Sequence, residues 1–142
     1  MTVKQVSVFI ENRQGRLGEV LAVLKSSEVN ILSMSLADTT EYGLLRLIVN
    51  NPERARDVLL DAGFSSMLTE VIIIKIPHVA GALQTILGII ADKGISVEYM
   101  YGLSVEANDA SVVMKTGELE AACELLRAKN IGTMSSDEIA TL

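Results

Sequence analysis

Shifted by 66 positions, the sequence falls back onto itself, and few folds accommodate such a chain. Gly15 lands on Gly81, Leu17 on Leu83, Val20 on Ile86, Leu21 on Leu87 and Leu24 on Ile90. Val29 then meets Ile95, Ile31 meets Val97 and Met34 meets Met100. Further along the shift becomes 67, pairing Ala55 with Ala122, Val58 with Leu125, Leu59 with Leu126 and Phe64 with Ile131. The second copy therefore carries one extra residue, which the spacing assigns to its SVEANDA hairpin. Self-similarity at a fixed period means one supersecondary unit written twice. Two domains follow as an expectation, 1–70 and 71–142, meeting near Glu70.

Each copy has the same internal grammar. Val3 to Ile10 alternates as a half-buried strand does, whereas Leu17, Val20, Leu21 and Leu24 make one apolar helical stripe. Val29 to Leu36 and Leu44 to Val49 read as strands flanking a turn at Asp38 to Gly43. Asn51-Pro52-Glu53 is a helix start, with an N-cap asparagine, a first-turn proline and an acid near the positive dipole end. Gly63 ends that helix, and a last strand runs from about Ser66 to Glu70. The fold class expected is α+β: two ferredoxin-like βαββαβ units, each a four-stranded antiparallel sheet with two helices on one face. A unit this small is marginal alone. Its open sheet face and edge strands call for cover by the sister unit or a second chain. The Met34/Met100 stripe reads as core.

Composition removes several functions. The chain has 142 residues, 49% of them hydrophobic, yet its apolar runs, the strand-sized Val71 to Ile74 among them, are far short of a membrane helix. MTVKQVSVFI alternates rather than forming a signal-peptide block, so a cytoplasmic protein with no membrane contact is expected. The net charge is −6 and no basic run exists, which argues against direct nucleic-acid contact. The single Cys123 excludes an internal disulfide, and in its apolar helical setting it reads as an inert thiol. With His78 as the one histidine, no zinc constellation or cofactor chemistry is indicated. A nucleophile–base pair is equally absent, so no enzymatic activity is expected.

The repeated glycine sits where strand one turns into helix one. The first N–H groups of a helix lack internal acceptors and attract carboxylates and phosphates. Residues 12–17 thus form a small anion site, with Asn12 adding a donor and an acceptor. Glycine there either lets a ligand approach closely or merely allows a tight turn, and local spacing leaves both open. A P-loop would need Lys-Ser/Thr after the last glycine, and a dinucleotide fingerprint three glycines; neither is present.

V-F-I-E-N-R-Q-G-R-L-G-E-V-L followed by E-V-N-I-L-S-M-S resembles the ACT domain, an amino-acid-sensing regulatory module. The family form is an apolar strand, N-x-P-G-x-L, a helix, and G-[VI]-N-[IV] opening strand two. Here Gln14 stands for the proline and Glu28 for the glycine. I-K-I-P-H-V-A-G-A-L with K-G-I-S-V-E is a looser second match, and together the copies cover almost the whole chain. The resemblance implies a stand-alone tandem ACT protein with an allosteric, regulatory role, working as a homodimer. It further implies a free amino acid as effector, held at the seam between ACT domains. Asparagines of the strand-one loop and the start of strand two hold the effector in serine-binding members; those positions are Asn12 and Asn30 here, and His78 and Ser96 in the second copy. The ligand carboxylate would meet the N–H groups around Gly15, Arg16 and Leu17, with Arg13 and Gln14 alongside. Asn12, Asn30 and the carbonyl near Ile31 would accept from its ammonium. The matching loop of the second copy is His78, Val79, Ala80, Gly81, Ala82 and Leu83, with His78 and Ser96 able to reach a polar side chain. A partner enzyme or regulator protein would read the change. The alternative is a structural oligomerisation or partner-binding module with no ligand.

Overall fold

A computed structural model describes residues 1–11, 13–38, 41–103 and 110–142. Asn12 and the hairpin assigned the extra residue, 104–109, lie outside the described residues, as do 39–40 of the first turn. Two compact units are formed. The N-terminal unit comprises Lys4–Thr69 with Ile139–Leu142, and the C-terminal unit Glu70–Glu138 with Met1–Val3.

The N-terminal unit runs β1 (Val3–Glu11), α1 (Arg16–Ser26), β2 (Ile31–Asp38), β3 (Tyr42–Val49), α2 (Pro52–Asp61) and the start of β4 (Ser65–Ile76). Its strands lie in the order β2-β3-β1-β4. Val6 faces Leu47 and Val8 faces Leu45 across the antiparallel β1–β3 pair. These residues join Val20 and Leu24 of α1 with Ala55 and Leu59 of α2 in one core. The α2 start is as its sequence requires: Asn51 Oδ1 accepts from the Arg54 N–H at 3.2 Å, behind a proline in the first turn.

The C-terminal unit continues with the rest of β4, α3 (Ala82–Asp92), β5 (Val97–Leu103), β6 (Ala110–Thr116), α4 (Leu119–Ala128) and α5 (Ser136–Ala140). β6 lies between β4 and β5. Ile72, Ile74 and Met114 pack with Ile86, Ile90, Ala122 and Leu126, and Cys123 sits half-buried against them. Both units thus have the α+β, ferredoxin-like pattern of antiparallel strands and covering helices.

Four particulars depart from the sequence reading. The strand expected to end at Glu70 does not end; β4 runs unbroken through 12 residues because no glycine, proline or turn residue interrupts it. The final strand of the second copy shrinks to one bridge, Ile74 to Thr133, flanked by Lys75 N–H to Gly132 O and Met134 N–H to Ile73 O. Gly132 weakens a strand there. The chain then turns at once into α5, which sequence reading missed. Its signal was Ser135-x-x-Glu138, a capping box: the Glu138 N–H donates to Ser135 Oγ at 3.1 Å and the Ser135 N–H to Glu138 Oε1 at 3.4 Å. Finally, Met34 is not core. It lies opposite Leu47 on the edge strand β2 and is 41% exposed, while Met100 is half-buried.

All four long helices end alike. The N–H three residues past the last helical residue reaches back five residues: Val29 to Leu24, Phe64 to Leu59, Ile95 to Ile90 and Ile131 to Leu126. Shorter bonds accompany them, Glu28 to Lys25, Gly63 to Leu60, Gly94 to Ala91 and Asn130 to Arg127. This is the Schellman motif, whose hinge residue takes a left-handed conformation. Gly63 and Gly94 supply it freely with φ of 89° and 72°, Asn130 tolerates it at 56°, and Glu28 is forced into it at 57°. Left-handed backbone costs a residue with a Cβ about 1–2 kcal/mol, partly offset by glycine's larger unfolded entropy. Glu28→Gly should therefore gain about 0.5–1 kcal/mol, read as a rise of roughly 1–4 °C in thermal midpoint.

Two surface ion pairs contribute acid sensitivity. Hydrogen bonding from Lys4 lowers the Glu53 carboxyl below its ordinary value, and hydrogen bonding from Lys75 does the same for Glu138. The pairs span 3.0 and 3.1 Å, with about half of each side chain exposed. A carboxyl depressed by folding stabilises above its unfolded pKa, here 4.5, and that contribution fades as pH falls through the folded value. Solvent screening limits each to a few tenths of a kcal/mol. Thermal midpoints of Glu53→Gln and Glu138→Gln should trail wild type slightly at pH 7 and converge with it as the pH falls through the lowered carboxyl value.

Candidate functional site

The two strand-to-helix corners are built identically, bond for bond. After β1 the Arg13 N–H folds back to Glu11 O at 2.7 Å, Arg16 N–H to Arg13 O at 3.3 Å, and Glu19 N–H to Gly15 O at 3.0 Å. After β4 the same three are Val79 to Pro77 at 2.8 Å, Ala82 to Val79 at 3.2 Å and Thr85 to Gly81 at 3.0 Å. Gly15 and Gly81 occupy the left-handed region with φ of 87° and 85°, immediately ahead of the helix. A Cβ at either position would meet no heavy atom within 4 Å. The glycines are thus required by backbone torsion, which any occupant of the loop would share.

This winding leaves donors over. Neither corner has a side-chain cap. Among the described residues, the N–H groups of Leu17 and Gly18, and of Leu83 and Gln84, have no protein acceptor. They point out of the positive end of helices 11 residues long.

The surroundings of the corners differ. Beside the first lies a cavity of about 230 Å³ lined by Arg13 and Leu17 with Glu11, Asp38, Leu36 and Gly43. Arg13 is exposed and stands 3.7 Å from the Glu11 carboxylate. Arg16 is drawn elsewhere: its guanidinium lies 4.2 Å above the Phe64 ring and pairs with Glu19, and its Nε is buried with no acceptor. It serves packing of its own unit and does not line the cavity. Beside the second corner all six loop residues from His78 to Leu83 line a groove of about 650 Å³. Ile76, Ala110 and Val112 make that groove mainly apolar, and His78 is exposed within it.

Asn30 and Ile31 are not at the corner of their own unit. They follow α1 at its far end, roughly 16 Å from Gly15 at 1.5 Å per residue. The Asn30 backbone is fixed by Asn50, whose Oδ1 accepts from the Asn30 N–H at 2.9 Å and whose N–H donates to Asn30 O at 3.1 Å. The Asn30 side chain remains exposed. Together with Lys25 and Glu28, which sequence reading did not select, it lines a groove of about 460 Å³. Ser96 holds the matching place after α3 and is exposed. Sequence reading also missed an irregularity just beyond: the β2–β3 register shifts between Ile31 and Ser33, and the β5–β6 register between Val97 and Tyr99. The 66-residue shift superposes these two bulges, which mark the rims of sheets and binding sites alike.

No helix among the described residues is long and apolar enough to cross a membrane. No curated protein is similar to the chain. Among solved structures it is similar to protein BT0572 from Bacteroides thetaiotaomicron, with 34% identity, a TM-score of 0.93, and cover of 100% of this chain and 98% of that one. The fold is also similar to the regulatory subunit of aspartate kinase from Thermus thermophilus, at 15% identity and a TM-score of 0.63, covering 88% and 91%. A third likeness, 13% identical with a TM-score of 0.54 and covering 91% and 94%, is a regulatory-domain structure of aspartate kinase from Porphyromonas gingivalis. The model of the ACT domain pair matches residues 1–142, and the chain belongs to that family.

Proposed function

We propose that the chain is a stand-alone, non-enzymatic amino-acid sensor, two ACT domains whose occupancy is read by a partner enzyme or regulator protein. The duplicated corner supports this reading most: each copy leaves two helix N–H groups without acceptors beside an open cavity. A carboxylate fits such donors in charge and geometry. The second anchor is Asn30 with Ile31, an exposed amide at the start of an irregular strand. Since α1 separates Asn30 from the Gly15 corner of the same unit, one amino acid touching both needs a facing copy of the chain, as a homodimer provides. The C-terminal corner, with His78 and Ser96 in these places, is the variant site. Ligand binding shifts the equilibrium between two pairings only by its difference in affinity for them.

Thermal-shift and calorimetric screening of the full chain against the twenty amino acids tests the reading. Stabilisation by one or a few at millimolar concentration or below is the expected result, weakened by Asn30→Ala. Indifference to all twenty would end it.

One observation favours assembly without a ligand. On the face opposite the N-terminal core, Phe9 lies across from Leu44, and Leu44 across from Ala37. Phe9 is 48% exposed and Met67 52%. Such a row suits burial against another surface. Sedimentation with and without the amino acids separates the readings: an oligomer unaffected by every one of them supports assembly alone.

A further inference from the structure

Among the described residues, the left-handed hinge after α1 is the one place where the sequence defies its own backbone. Three of the four helix ends fill this position with glycine or asparagine, and the first copy fills it with Glu28 at φ 57°. Its repeat counterpart is Gly94 (28 + 66). Glu28 has no ion pair among the described residues, so neither a partner nor the torsion accounts for its presence. It does line the groove that holds Asn30.

The repeat acts as an internal control on that groove. Its apolar lining, Leu21, Leu24, Val29 and Ile31, becomes Leu87, Ile90, Ile95 and Val97, apolar in every case. Its polar lining does not survive: Lys25 becomes Ala91, Glu28 becomes Gly94 and Asn30 becomes Ser96. Packing needs keep the first set, since Leu24 and Val29 belong to the core. No packing need is visible for the second set. Lys25 and Glu28, three residues apart, form no ion pair with each other, so both charges remain available to a solute.

We infer that Glu28 and Asn30 form the ammonium-binding end of the effector site, and that this groove selects amino acids with uncharged aliphatic side chains. This rests on the amino-acid-sensing reading and names its substrate class. The Glu28 carboxylate and the Asn30 Oδ1 accept from the α-ammonium, while the carboxylate of the same ligand is left to the helix donors of a corner. The apolar floor takes the aliphatic chain. Lys25 repels a second cation and so disfavours lysine and arginine. Occupation by a cation also explains why a residue is tolerated in a strained conformation that glycine would relieve.

Calorimetry on the full chain with L-leucine, 4-methylpentanoate (leucine without its ammonium) and L-lysine tests the assignment. Wild type should bind leucine at least tenfold tighter than either of the others. Glu28→Gly should lose leucine affinity at least tenfold while its thermal midpoint rises, a combination that damage to the fold does not produce. Glu28→Gln, which keeps the torsion and removes the charge, should lose binding similarly. 4-Methylpentanoate should bind wild type and Glu28→Gly alike, and Lys25→Ala should narrow the gap between leucine and lysine. Undiminished leucine binding in both Glu28 variants would overturn the inference, as would preference for a charged amino acid. Either result leaves the sensor reading standing, whereas failure of all twenty amino acids to bind wild type removes both.

Discussion

Leu59→Ala should lower the unfolding free energy by about 2–5 kcal/mol, the range for a buried leucine cut back to its Cβ. Leu59 has no exposed surface, lies mid-face on α2 and belongs to the core shared with β1, β3 and α1. It also carries the helix end, because its carbonyl accepts from Phe64 N–H at 2.9 Å and its side chain shares the core cluster with Phe64. Truncation leaves a cavity and withdraws the apolar contact that accompanies the Schellman turn. The Phe64 ring supports the Arg16 guanidinium, so loosening it reaches α1 as well. For a domain with a total stability of roughly 5–15 kcal/mol the loss is large. Chemical denaturation should show a reduced midpoint with an unchanged slope. A loss below about 1 kcal/mol would mean that α2 does not pack as described. Leu60, the next residue, is 49% exposed, and Leu60→Ala in the same assay should change little.

Valine at Gly15 or Gly81 should cost about 1–3 kcal/mol each, and asparagine should recover most of it. The argument is torsional. Both glycines sit near φ 85° with free space where a Cβ would point, so no clash contributes. A β-branched residue is poorly suited to that region and asparagine is tolerated there. Thermal unfolding of the four variants measures the difference. If asparagine proves as damaging as valine, the loops are constrained by something beyond their φ angles. The asparagine variants also separate the two roles of the glycine. A bound carboxylate needs room above the helix donors, which an asparagine side chain restricts. Gly15→Asn should therefore keep stability and weaken the binding of whichever amino acid stabilises the wild type. Stability and binding both retained would assign the glycine to the turn alone.

Much of the local structure was legible because short-range rules govern it. Asn51-Pro52-Glu53 announced a helix start and Gly63 its end, and the backbone does what these residues require. Alternation in β1 and the stripe Leu17, Val20, Leu21 and Leu24 assigned the first strand and helix. Val71 to Ile74 does not alternate because the four are buried on both faces of the sheet, and a strand buried on both faces reads as a continuous apolar run. The capping box Ser135-x-x-Glu138 was present and unread, which is why α5 was missed.

The candidate site was less legible. The Gly15 and Gly81 loops were found because glycine repeats at 66 residues, and their identical hydrogen bonds explain the repetition. Sequence reading places Arg16 at the corner for its N–H group; its guanidinium lies over Phe64, a contact between residues 48 positions apart (64 − 16) that no local pattern foretells. Lys25 and Glu28 carried no motif. They stand out only once the groove with Asn30 exists and the φ of Glu28 is known.

By itself the sequence determined the duplication, the βαββαβ order of the first copy and the glycine-marked corners at Gly15, Gly63 and Gly81, because periodicity and torsional preference act over a few residues. Only the tertiary structure decided which donors stay unpaired, which arginine is used for packing and which side chains share a groove. Those depend on what folding brings close in space, and burial and electrostatics act across distances that sequence spacing does not encode.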